Sequence, residues 1–583
     1  MKKIKSLFLY TLYLSIIFLF SCSFPGKTQQ DTSKIEIVKT KDWWKEAIVY
    51  QIYPRSFKDD NGDGIGDLKG IISKLDYLKS LGINTIWLNP IYESPNFDNG
   101  YDVSDYYKIS KQFGTMKDFD SLLKGLHSRG IKLVMDMVLN HSSDQNEWFK
   151  QSRSSRTNSY RNYYHWWPAE KGKPTPRWSF FDVNSDAWKY DSLTNSYYLH
   201  YFALQQPDLN WENPKVREEI YKMMRFWADK GVDGFRMDAF QYVSKDTTFP
   251  ALPNGYDKNI DKYYGAGPHL HDYIREMNRN VLSKYNVLTV AEGAGATMQD
   301  AMKFVDSARH EFSMVYHFKG IGYGDYKPNY DLPGFKKVYS SWDSMFANKG
   351  WLSIYLSNHD QPRMVSHWGS EDPQFRELSS KMLTTFLMTM RGTPYFYYGD
   401  ELGMVNIGFN KIEEYDDIAV KNKYLHLKQT GGDLKGYLEY LKRSARDNNR
   451  TPFQWDSSLN SGFTTGKPWL KVNPNYKIIN ATIQEKDPNS ILNYFRKAVK
   501  LRNENKVLVY GKYTLVDASN PNVYAYTRIF KDKKILVLLN FKAKAANQNS
   551  GIDLSGAKLL LDNYSNPSTG KILKPYEAQV YEF

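Results

Sequence analysis

Residues 132–141 read KLVMDMVLNH, in which the apolar run 132–138 carries one aspartate and is followed by an Asn-His pair at 140–141. Seven more apolar runs of similar length occur along the chain, at residues 47–53, 85–90, 234–239, 287–292, 312–318, 352–358 and 394–399. The segments between them have helical spacing, as in residues 68–81 (LKGIISKLDYLKSL), which predicts a helix there. Short apolar strands that alternate with helices are typical of a parallel sheet covered on both faces. Eight such units over about 350 residues predict a (β/α)8 or TIM barrel.

Two regions depart from this alternation and predict further parts of the fold. Residues 143–211 are rich in Trp, Tyr, Asn and Ser and are too long for one helix between the third and fourth strands. After residue 505 only strand-like runs remain, at residues 523–530, 534–541, 557–564 and 576–583. We therefore predict an α/β protein. Its parts are a barrel of residues 42–142 and 212–505, an inserted lobe after strand three (domain B) of residues 143–211, and a C-terminal antiparallel β-sandwich of residues 506–583.

The composition narrows the class of protein. Hydrophobic residues make up 41% and charged residues 24% of the 583 residues, which excludes a wholly disordered chain. The only cysteine is Cys22, so neither an intramolecular disulfide nor a multi-cysteine zinc site can form. The formal net charge of +14 raises the question of a nucleic-acid partner. Because the lysines are spread along helical segments and no nucleic-acid-binding motif is present, we predict no such partner.

The N-terminal segment is typical of an exported protein. Residues 1–6 (MKKIKS) are cationic, and residues 7–20 are almost wholly apolar. Fourteen residues of helix span about 21 Å, which is less than the roughly 30 Å of a bilayer core. We therefore predict that residues 1–21 are a signal peptide rather than a permanent membrane helix.

The end of this segment resembles the processing site of bacterial lipoproteins, because Ser21 directly precedes the lone Cys22. The resemblance implies cleavage before Cys22, a lipid on that cysteine as the membrane anchor, and residues 22–41 as a polar tether. Processing lowers the net charge from +14 to +11. Ser23 and Phe24 do not match the aspartate of an inner-membrane retention signal, so we favour the outer membrane over the periplasmic face of the inner one. The alternative is an ordinary secretory signal with an incidental cysteine.

Ionisable residues stand at or near the ends of several predicted strands. These residues are Asp136, His141, Arg236, Asp238, Glu292, His359 and Asp360. Catalytic groups of a barrel lie at the C-terminal ends of its strands, and a buried strand end is a costly place for an unpaired charge. Two carboxylates about 5–5.5 Å apart can cleave a glycosidic bond with retention, one as nucleophile and the other as general acid. An adjacent arginine keeps the nucleophile ionised.

The motifs around these residues resemble the four signature regions of the α-amylase superfamily, glycoside hydrolase family 13. They are DMVLNH (136–141), GFRMD (234–238), VAE (290–292) and SNHD (357–360). QPDLN (206–210) and GTPYFYYGDELGM (392–404) are similar to its auxiliary regions. Three more segments are similar to the oligo-1,6-glucosidase and α-glucosidase branch: YQIYPRSF (50–57), ESPNFDNGYD (93–102) and ARDNNRTPFQW (445–455).

The resemblance implies a role for each matching residue. Asp238 is similar to the nucleophile, Glu292 to the general acid/base and Asp360 to the transition-state stabiliser. The expected substrate-binding residues are Asp98, Tyr101, His141, Arg236, His359 and Arg450. Among these, Asp98 would bind the terminal sugar hydroxyls, with Arg450 at the pocket rim beside it. A loop salt bridge between Asp98 and Arg450 is the alternative, and both roles can hold together.

The loop DDNGDGIGD (59–67) places oxygen donors at every second position, which suits a hard cation such as Ca²⁺. The expected ligands are Asp59, Asn61, Asp63, the backbone carbonyl of Ile65, and Asp67. An EF-hand needs glutamate at the twelfth position, which is Gly70 here. The loop is instead similar to the single-ion loop of oligo-glucosidases, which implies one structural Ca²⁺, with Mg²⁺ as an alternative. A polar turn held by its own Asx bonds is the other interpretation.

The resemblance predicts a retaining, exo-acting α-glucosidase that acts on short α-glucans with α-1,4 or α-1,6 linkages. Ala239 and the Gly-Ala-Gly-Ala stretch after Glu292 depart from the α-1,6 branch, which usually has Val and Met-Pro-Gly, and leave the linkage open. A transglycosylase or isomerase of the trehalose synthase kind is the main alternative, because water and a sugar compete for the same covalent intermediate. A non-catalytic glycan-binding lipoprotein is a third hypothesis. The oligomeric state is left open.

Overall fold

Strands of two to eight residues alternate with helices along the computed structural model, which describes residues 42–583 except 266, 294, 317–325 and 327–329. The predicted signal peptide (residues 1–21), the predicted lipidation site Cys22 and the predicted tether (residues 22–41) lie outside the described residues. The strands are, in chain order, β1 (Val49–Ile52), β2 (Thr85–Leu88), β3 (Tyr92–Glu93), β4 (Asp105–Ile109), β5 (Lys132–Val138), β6 (Trp166–Pro168), β7 (Trp188–Asp191), β8 (Ser196–Leu199), β9 (Gly234–Asp238), β10 (Leu288–Ala291), β11 (Met314–Val315), β12 (Ser353–Ile354), β13 (Thr393–Tyr397), β14 (Lys512–Leu515), β15 (Val523–Phe530), β16 (Lys533–Asn540), β17 (Ala546–Asn547), β18 (Lys558–Asp562), β19 (Ile572–Leu573) and β20 (Ala578–Glu582).

The α-helices fill the segments between these strands. They are α1 (Pro54–Phe57), α2 (Leu68–Ser73), α3 (Leu75–Ser80), α4 (Met116–His127), α5 (Glu147–Ser154), α6 (Pro214–Asp229), α7 (Ile260–Tyr263), α8 (Leu270–Asn280), α9 (Met298–Val305), α10 (Leu332–Phe346), α11 (Met364–Trp368), α12 (Arg376–Thr389), α13 (Ile418–Thr430), α14 (Leu434–Ser444), α15 (Ala481–Lys486), α16 (Ile491–Glu504) and α17 (Lys506–Tyr510). Within the described ranges, none of them is long and apolar enough to span a membrane.

Eight strands form one parallel sheet in the order β11-β10-β9-β5-β2-β1-β13-β12. A parallel bridge between Val315 and Leu352 joins β11 to the segment that leads into β12 and closes the sheet into a barrel. Nearly every residue of these strands is buried, because helices cover the outside and side chains fill the inside. The predicted (β/α)8 barrel is therefore confirmed.

The other strands form the two additional parts that the sequence predicts. Within domain B, β6, β8 and β7 make a three-stranded antiparallel sheet. Near the C terminus, β14-β15-β16-β20-β18 make a five-stranded antiparallel sheet, and β17 pairs with β19 beside it. The inserted lobe after strand three and the C-terminal antiparallel domain are thus both present.

Helix boundaries follow local sequence signals. At the start of α4, Thr115 and Asp118 form a reciprocal capping box, in which each side chain binds the other residue's backbone N–H. Asp417 caps α13 by accepting hydrogen bonds from the backbone of Ala419 and Val420. The single helix predicted for residues 68–81 is instead two helices, because Lys74 between them has φ −111° and ψ 11° rather than helical angles.

Candidate active site

The strand ends bring four carboxylates to one face of the barrel. Asp136 lies within β5 and Asp238 is the last residue of β9. Glu292 directly follows β10, and Asp360 lies in the loop after β12. Because the strands are parallel, their C-terminal ends meet at one face, where the connecting loops build a pocket.

Arg236 binds three of these carboxylates at once. Its Nη1 lies 2.8 Å from Asp136 Oδ1 and 2.5 Å from Asp238 Oδ1, and its Nη2 lies 2.8 Å from Glu292 Oε2. The arginine is only 2% exposed, so these contacts are made out of water. The backbone N–H of Ala239 also donates to Glu292 Oε2 at 2.9 Å. One guanidinium thus holds Asp238 and Glu292 on the same side of the pocket.

The single positive charge of Arg236 cannot neutralise three carboxylates, so excess negative charge in the cluster favours the binding of a proton. Burial raises the pKa of Asp238 well above its ordinary value; the Arg236 charge opposes the shift, and Glu292 and Asp136 add to it. Burial also raises the pKa of Asp136 to about 6, again against the pull of Arg236. Interacting carboxylates share their titration, so the bound proton belongs to the group rather than to a single member. Burial thus favours the protonated form of Asp136 and Asp238, and Arg236 opposes it.

Asp360 has the opposite environment. Burial alone would raise its pKa, but nearby cationic groups outweigh that effect and hold the pKa of Asp360 well below its usual range. Arg446 Nη1 donates to Asp360 Oδ1 at 3.0 Å, and Arg450 Nη2 donates to the same oxygen at 2.9 Å. The ionised form of Asp360 is therefore favoured, whereas burial favours the protonated form of Asp136 and Asp238 in the Arg236 cluster.

Tyr101 and His359 form a rigid wall beside these acids. Their rings stack with centroids 5.4 Å apart and planes 7° apart, and the Tyr101 hydroxyl lies 2.7 Å from His359 Nε2. That hydroxyl also donates to Asp136 Oδ2 at 2.9 Å, and Gln51 Nε2 lies 2.8 Å from His359 Nδ1. Burial lowers the pKa of His359 to about 3, so the ring is neutral at physiological pH. Both ring nitrogens therefore have protein partners, and these two bonds fix the position of the neutral ring in the wall.

Asp98 and His141 lie together on the far side of Tyr101. Gln206 Nε2 donates to Asp98 Oδ2 at 3.1 Å, and His141 Nε2 lies 3.2 Å from the Tyr101 carbonyl oxygen. Burial lowers the pKa of His141 to about 3. Burial raises the pKa of Asp98 to about 7, although nearby arginines oppose the shift. Asp98 therefore titrates near neutral pH.

Arg450 occupies a different place from the predicted one. It is 1% exposed rather than at a rim, and it donates to Asp360 and, at 3.0 Å from Nε, to the His359 carbonyl oxygen. The arginine that faces Asp98 is Arg446, whose Nη2 lies 3.7 Å from Asp98 Oδ1. The motif ARDNNRTPFQW contains both arginines, four residues apart, and nothing in the sequence alone distinguishes them.

Asp417 is a second residue that the sequence analysis missed. It accepts hydrogen bonds from Arg446 Nε at 2.6 Å and from Arg446 Nη2 at 2.7 Å. Two parallel bonds of this kind fix the plane of a guanidinium as well as its position. The sequence signal that could have identified Asp417 is weak, because Asp417 is one acid of a Glu-Glu-Tyr-Asp-Asp run directly before a helix.

An aromatic mouth leads to this cluster. A cavity of about 530 Å³ lies between domain B and the α13–α14 helices. Its lining includes Asp360 and Arg446 together with the aromatic side chains of Trp178, Phe180, Phe181, Phe202, Tyr437 and Tyr440. The Arg446 guanidinium carbon lies 5.0 Å from the Phe181 ring centroid, a cation–π contact. Flat apolar faces beside polar groups suit sugar rings, which have both kinds of surface.

Backbone conformation is unusual directly after Asp238. Ala239 has φ 46° and ψ 25°, in the left-handed region that non-glycine residues seldom adopt. The loop after Glu292 contains Gly293 and Gly295, which also have positive φ, and the Gly295 N–H donates to Gln241 Oε1 at 3.1 Å. Position 294 of the Gly-Ala-Gly-Ala stretch lies outside the described residues. The two departures from the α-1,6 pattern therefore occur at neighbouring backbone segments.

The predicted cation loop turns back on itself through Asx bonds. The buried Asp59 carboxylate accepts hydrogen bonds from Gly62 N at 2.7 Å, Gly64 N at 2.8 Å and the Thr464 hydroxyl. Asn61 Oδ1 accepts from Asp63 N, Asp63 Oδ1 accepts from Ile65 N, and Asp67 caps α2. In the described part of the chain, no three acidic, His or Cys side chains are grouped to hold a metal. The oxygen-only donor set still fits a hard cation, because free lone pairs and the Ile65 carbonyl are left over.

Comparison with known proteins gives a consistent result. The family model "Alpha amylase, catalytic domain" matches residues 51–511. An oligo-1,6-glucosidase of Parageobacillus thermoglucosidasius is 48% identical over 560 residues, which cover 93% of this chain and 99% of that protein. An α-glucosidase of Pediococcus pentosaceus is 44% identical over 559 residues, with the same coverage. Among solved structures, the isomaltulose synthase of Protaminobacter rubrum has a TM-score of 0.89 and 47% identity, covering 93% of this chain and 99% of that one.

Proposed function

Because the chain belongs to the α-amylase family, we propose that it is a retaining, exo-acting α-glucosidase that releases glucose from the non-reducing ends of short α-glucans. The observation that carries this proposal is the contact of one buried arginine, Arg236, with Asp136, Asp238 and Glu292. Double displacement needs one ionised and one protonated carboxyl group side by side, and the proximity of Asp238 and Glu292 to one guanidinium supports that pairing. The relatives named oligo-1,6-glucosidase and α-glucosidase support the choice of substrate class.

The first half of the reaction uses the shared proton of the cluster. An Asp238 oxygen attacks the anomeric carbon of the terminal glucose while Glu292 gives its proton to the glycosidic oxygen, and the bond to the leaving sugar breaks. A covalent glucosyl ester of Asp238 results. In the second half, Glu292 takes a proton from water, the water oxygen attacks the anomeric carbon, and glucose leaves with Asp238 ionised again. Arg236 hydrogen-bonds Asp238 and forms an ion pair with Glu292, and its charge favours the ionised form of the departing Asp238.

The second group of charges suits recognition of a chain end. Asp360 is held ionised by Arg446 and Arg450, and Asp98 lies on the other side of Arg446. Carboxylates and a guanidinium in this arrangement can bind the hydroxyl groups of one terminal glucose unit, with Tyr101 and His359 as the stacking wall. Because this polar cluster closes one side of the pocket, the glycosidic bond of a bound glucan would lie on the other side, toward the aromatic mouth. Exo cleavage follows from that orientation.

A sugar isomerase of the same family is the second candidate, and one finding favours it. The solved structures that resemble this chain include an isomaltulose synthase and a trehalulose synthase, both with TM-scores of 0.89 and 45–47% identity. In such an enzyme the glucosyl group passes to a second sugar instead of water. The non-catalytic alternative is set aside, because all three catalytic acids are present and the full-length relatives are enzymes.

The test is product analysis on maltose, isomaltose, panose, trehalose, sucrose and starch. The α-glucosidase proposal expects free glucose from maltose or isomaltose, with little activity on starch. A dominant disaccharide product from sucrose would favour the isomerase. Asp238→Asn should abolish turnover on every substrate, whereas Asp76→Asn, a matched change on a carboxylate that is 90% exposed, should leave turnover unchanged. Near-normal turnover by Asp238→Asn would refute the nucleophile assignment.

Two further proposals concern the loop and the N terminus. The loop of residues 59–67 would hold one structural Ca²⁺, or Mg²⁺, through Asp59, Asn61, Asp63, Ile65 and Asp67; the oxygen-only donor set supports this. The exported chain would be a bacterial lipoprotein anchored through Cys22, at the outer membrane or the periplasmic face of the inner one; the lone cysteine after an apolar segment supports it. Mass spectrometry of the N-terminal peptide tests the lipid directly.

A further inference from the structure

The described chain begins at the end of the barrel that is opposite to the candidate active site. Trp43 Nε1 donates at 3.3 Å to the carbonyl of Asn286, two residues before β10. Lys132, the first residue of β5, places its Nζ 4.6 Å from the Trp43 ring centroid. Both neighbours mark the N-terminal ends of barrel strands, whereas Asp238 and Glu292 lie at the C-terminal ends. The first described residues therefore lie on the face of the barrel away from the pocket.

The tip of the β15–β16 hairpin is close to this starting point. Glu46, four residues after Asp42, binds Lys506 Nζ at 2.6 Å and the Tyr510 hydroxyl at 2.8 Å. The ring of Tyr510 lies 6.0 Å from that of Phe530, the last residue of β15. Two contacts thus connect the beginning of the described chain to the hairpin.

The same end of the C-terminal sheet exposes an alternating row of apolar and cationic side chains. Strand register pairs Lys512 with Ile529 and Ile529 with Lys534, and the backbone of Phe583 pairs with that of Lys534. Directly opposed residues of antiparallel strands project from one face, so the row reads Lys, Ile, Lys, Phe across four strands. Ile529 is 44% exposed and Phe583 is 39% exposed. Lys534 Nζ lies 4.8 Å from the Phe583 ring centroid.

The charge around this row is positive. Five lysines lie at the hairpin tip, on the row or beside Glu46: Lys506, Lys512, Lys531, Lys533 and Lys534. The acids near them are Asp42, Glu46, Asp532 and Glu582. Asp42 is paired with Lys45 at 2.5 Å, Glu46 with Lys506 at 2.6 Å, and Glu582 with Lys533 at 3.2 Å. Residues 22–41, which precede the described residues in the sequence, contain four lysines and two acids. Exposed apolar side chains between lysines are the pattern by which proteins bind an anionic lipid surface.

We infer that this basic apolar row, with the hairpin tip, lies against an anionic phospholipid bilayer and points the pocket away from the membrane. The inference rests on the proposed lipid anchor at Cys22. A chain of 20 residues that behaves as a flexible linker has a root-mean-square length of about 25 Å, so a lipid at Cys22 would keep this end near the bilayer. Tethering at that distance gives a high effective concentration, and a weak surface contact is then sufficient. Substrate access from the outside follows from the same orientation.

The experiment uses the lipid-bearing mature protein in phosphatidylcholine vesicles with and without phosphatidylglycerol. Since Cys22 is the only native cysteine and carries the lipid, Asp532→Cys gives a unique label site at the hairpin tip. Lys423→Cys, at the pocket mouth, is the matched site on the opposite end. A polarity-sensitive fluorophore at residue 532 should shift to the blue and resist an aqueous quencher on the anionic vesicles, whereas the one at residue 423 should not. Equal exposure of both labels, or shielding at residue 423 alone, would overturn the docking.

A charge-reversal pair separates docking from anchoring. Lys531→Glu with Lys534→Glu should lower the docked-to-free ratio of the hairpin label by about tenfold or more on anionic vesicles. Lys428→Glu with Lys435→Glu makes the same charge change on α13 and α14 and should leave the ratio unchanged. Lack of lipid on Cys22 would overturn the anchor and this inference together, whereas a lipidated protein with an unaltered ratio would overturn the docking alone. Maltose hydrolysis in the same samples tests the catalytic proposal separately.

Discussion

Replacement of Arg446 by lysine is the most direct test of how the pocket recognises the terminal glucose of its substrate. The guanidinium makes two bonds to Asp417, one bond to Asp360 and an ion-pair contact with Asp98. A lysine keeps the positive charge but has one nitrogen, so it cannot serve the paired bonds to Asp417 and the contacts to Asp360 and Asp98 together. Arg446→Lys therefore removes the fixed plane of the group while the buried carboxylate of Asp417 keeps a cation.

The expected magnitude follows from the bonds lost. A hydrogen bond to a charged group contributes about 1.5–3 kcal/mol, so losing one contact that orients the terminal glucose should lower kcat/KM about 10- to 100-fold. The thermal midpoint should fall only modestly, because Asp417 stays paired. Arg446→Met should be far less stable, since removal of one partner from a buried pair costs about 3–5 kcal/mol.

The assay is kcat/KM on maltose and on an aryl α-glucoside, with thermal unfolding measured in parallel. Both substrates present the same terminal glucose, so both should lose activity to a similar extent. Arg443→Lys is the matched control, because Arg443 is exposed three residues earlier. If Arg446→Lys kept kcat/KM within about twofold of the original enzyme while folding normally, the proposed recognition of the chain end by Arg446 would be wrong.

Three other predictions follow from the site and the loop. Ala239→Val should raise the ratio of activity on isomaltose to activity on maltose, and an unchanged ratio would show that other residues determine the linkage. Because a β-branched residue is strained at φ 46°, this substitution should also cost about 1–2 kcal/mol of stability. Because the pKa of Asp98 is raised to about 7 and its ionised form accepts hydrogen bonds from hydroxyl groups, KM for maltose should fall as the pH rises through 7, and Asp98→Asn should remove that dependence; a pH-independent KM in the original enzyme would contradict it. Chelation of divalent metal should lower the thermal midpoint more than it lowers kcat, and Asp63→Ala should abolish the response to chelator; equal midpoints with and without chelator would mean that the loop holds no ion.

Most of the barrel could be predicted from the sequence because each strand is a continuous apolar run. The segments 132–138 and 523–530 coincide with β5 and β15, and the other predicted barrel and C-terminal strands overlap observed ones with ends that differ by a few residues. Strand β14 (Lys512–Leu515) was not predicted. Its sequence, KYTL, is short and half polar, and its pairing with β15 arises from the tertiary fold rather than from local preference.

Only the site residues that lie within recognisable sequence motifs could be predicted. Asp238, Glu292 and Asp360 each stand at the end of an apolar run, so strand position alone brings them to one face. The choice between Arg446 and Arg450 depends on how the segment before residue 455 folds over the pocket, and two arginines of one motif offer the same chemistry in sequence. Asp417 is even harder to predict from the sequence, because its contact with Arg446 joins the start of α13 to a loop 29 residues later.

The arrangement of charges also indicates where hydrolysis and sugar transfer diverge. The proposed glucose-binding side is fixed by buried bonds: Arg236 on three carboxylates, and Arg446 and Arg450 on Asp360. Enzymes that give a glucosyl group to water or to a second sugar need this side equally, because both pass through the same intermediate. The acceptor reaches that intermediate through the mouth, between domain B and the helices α13 and α14. Exchanges that convert one outcome into the other should therefore lie among the aromatic residues of the mouth and at Ala239, whereas changes within the Arg236 cluster should lower both reactions together.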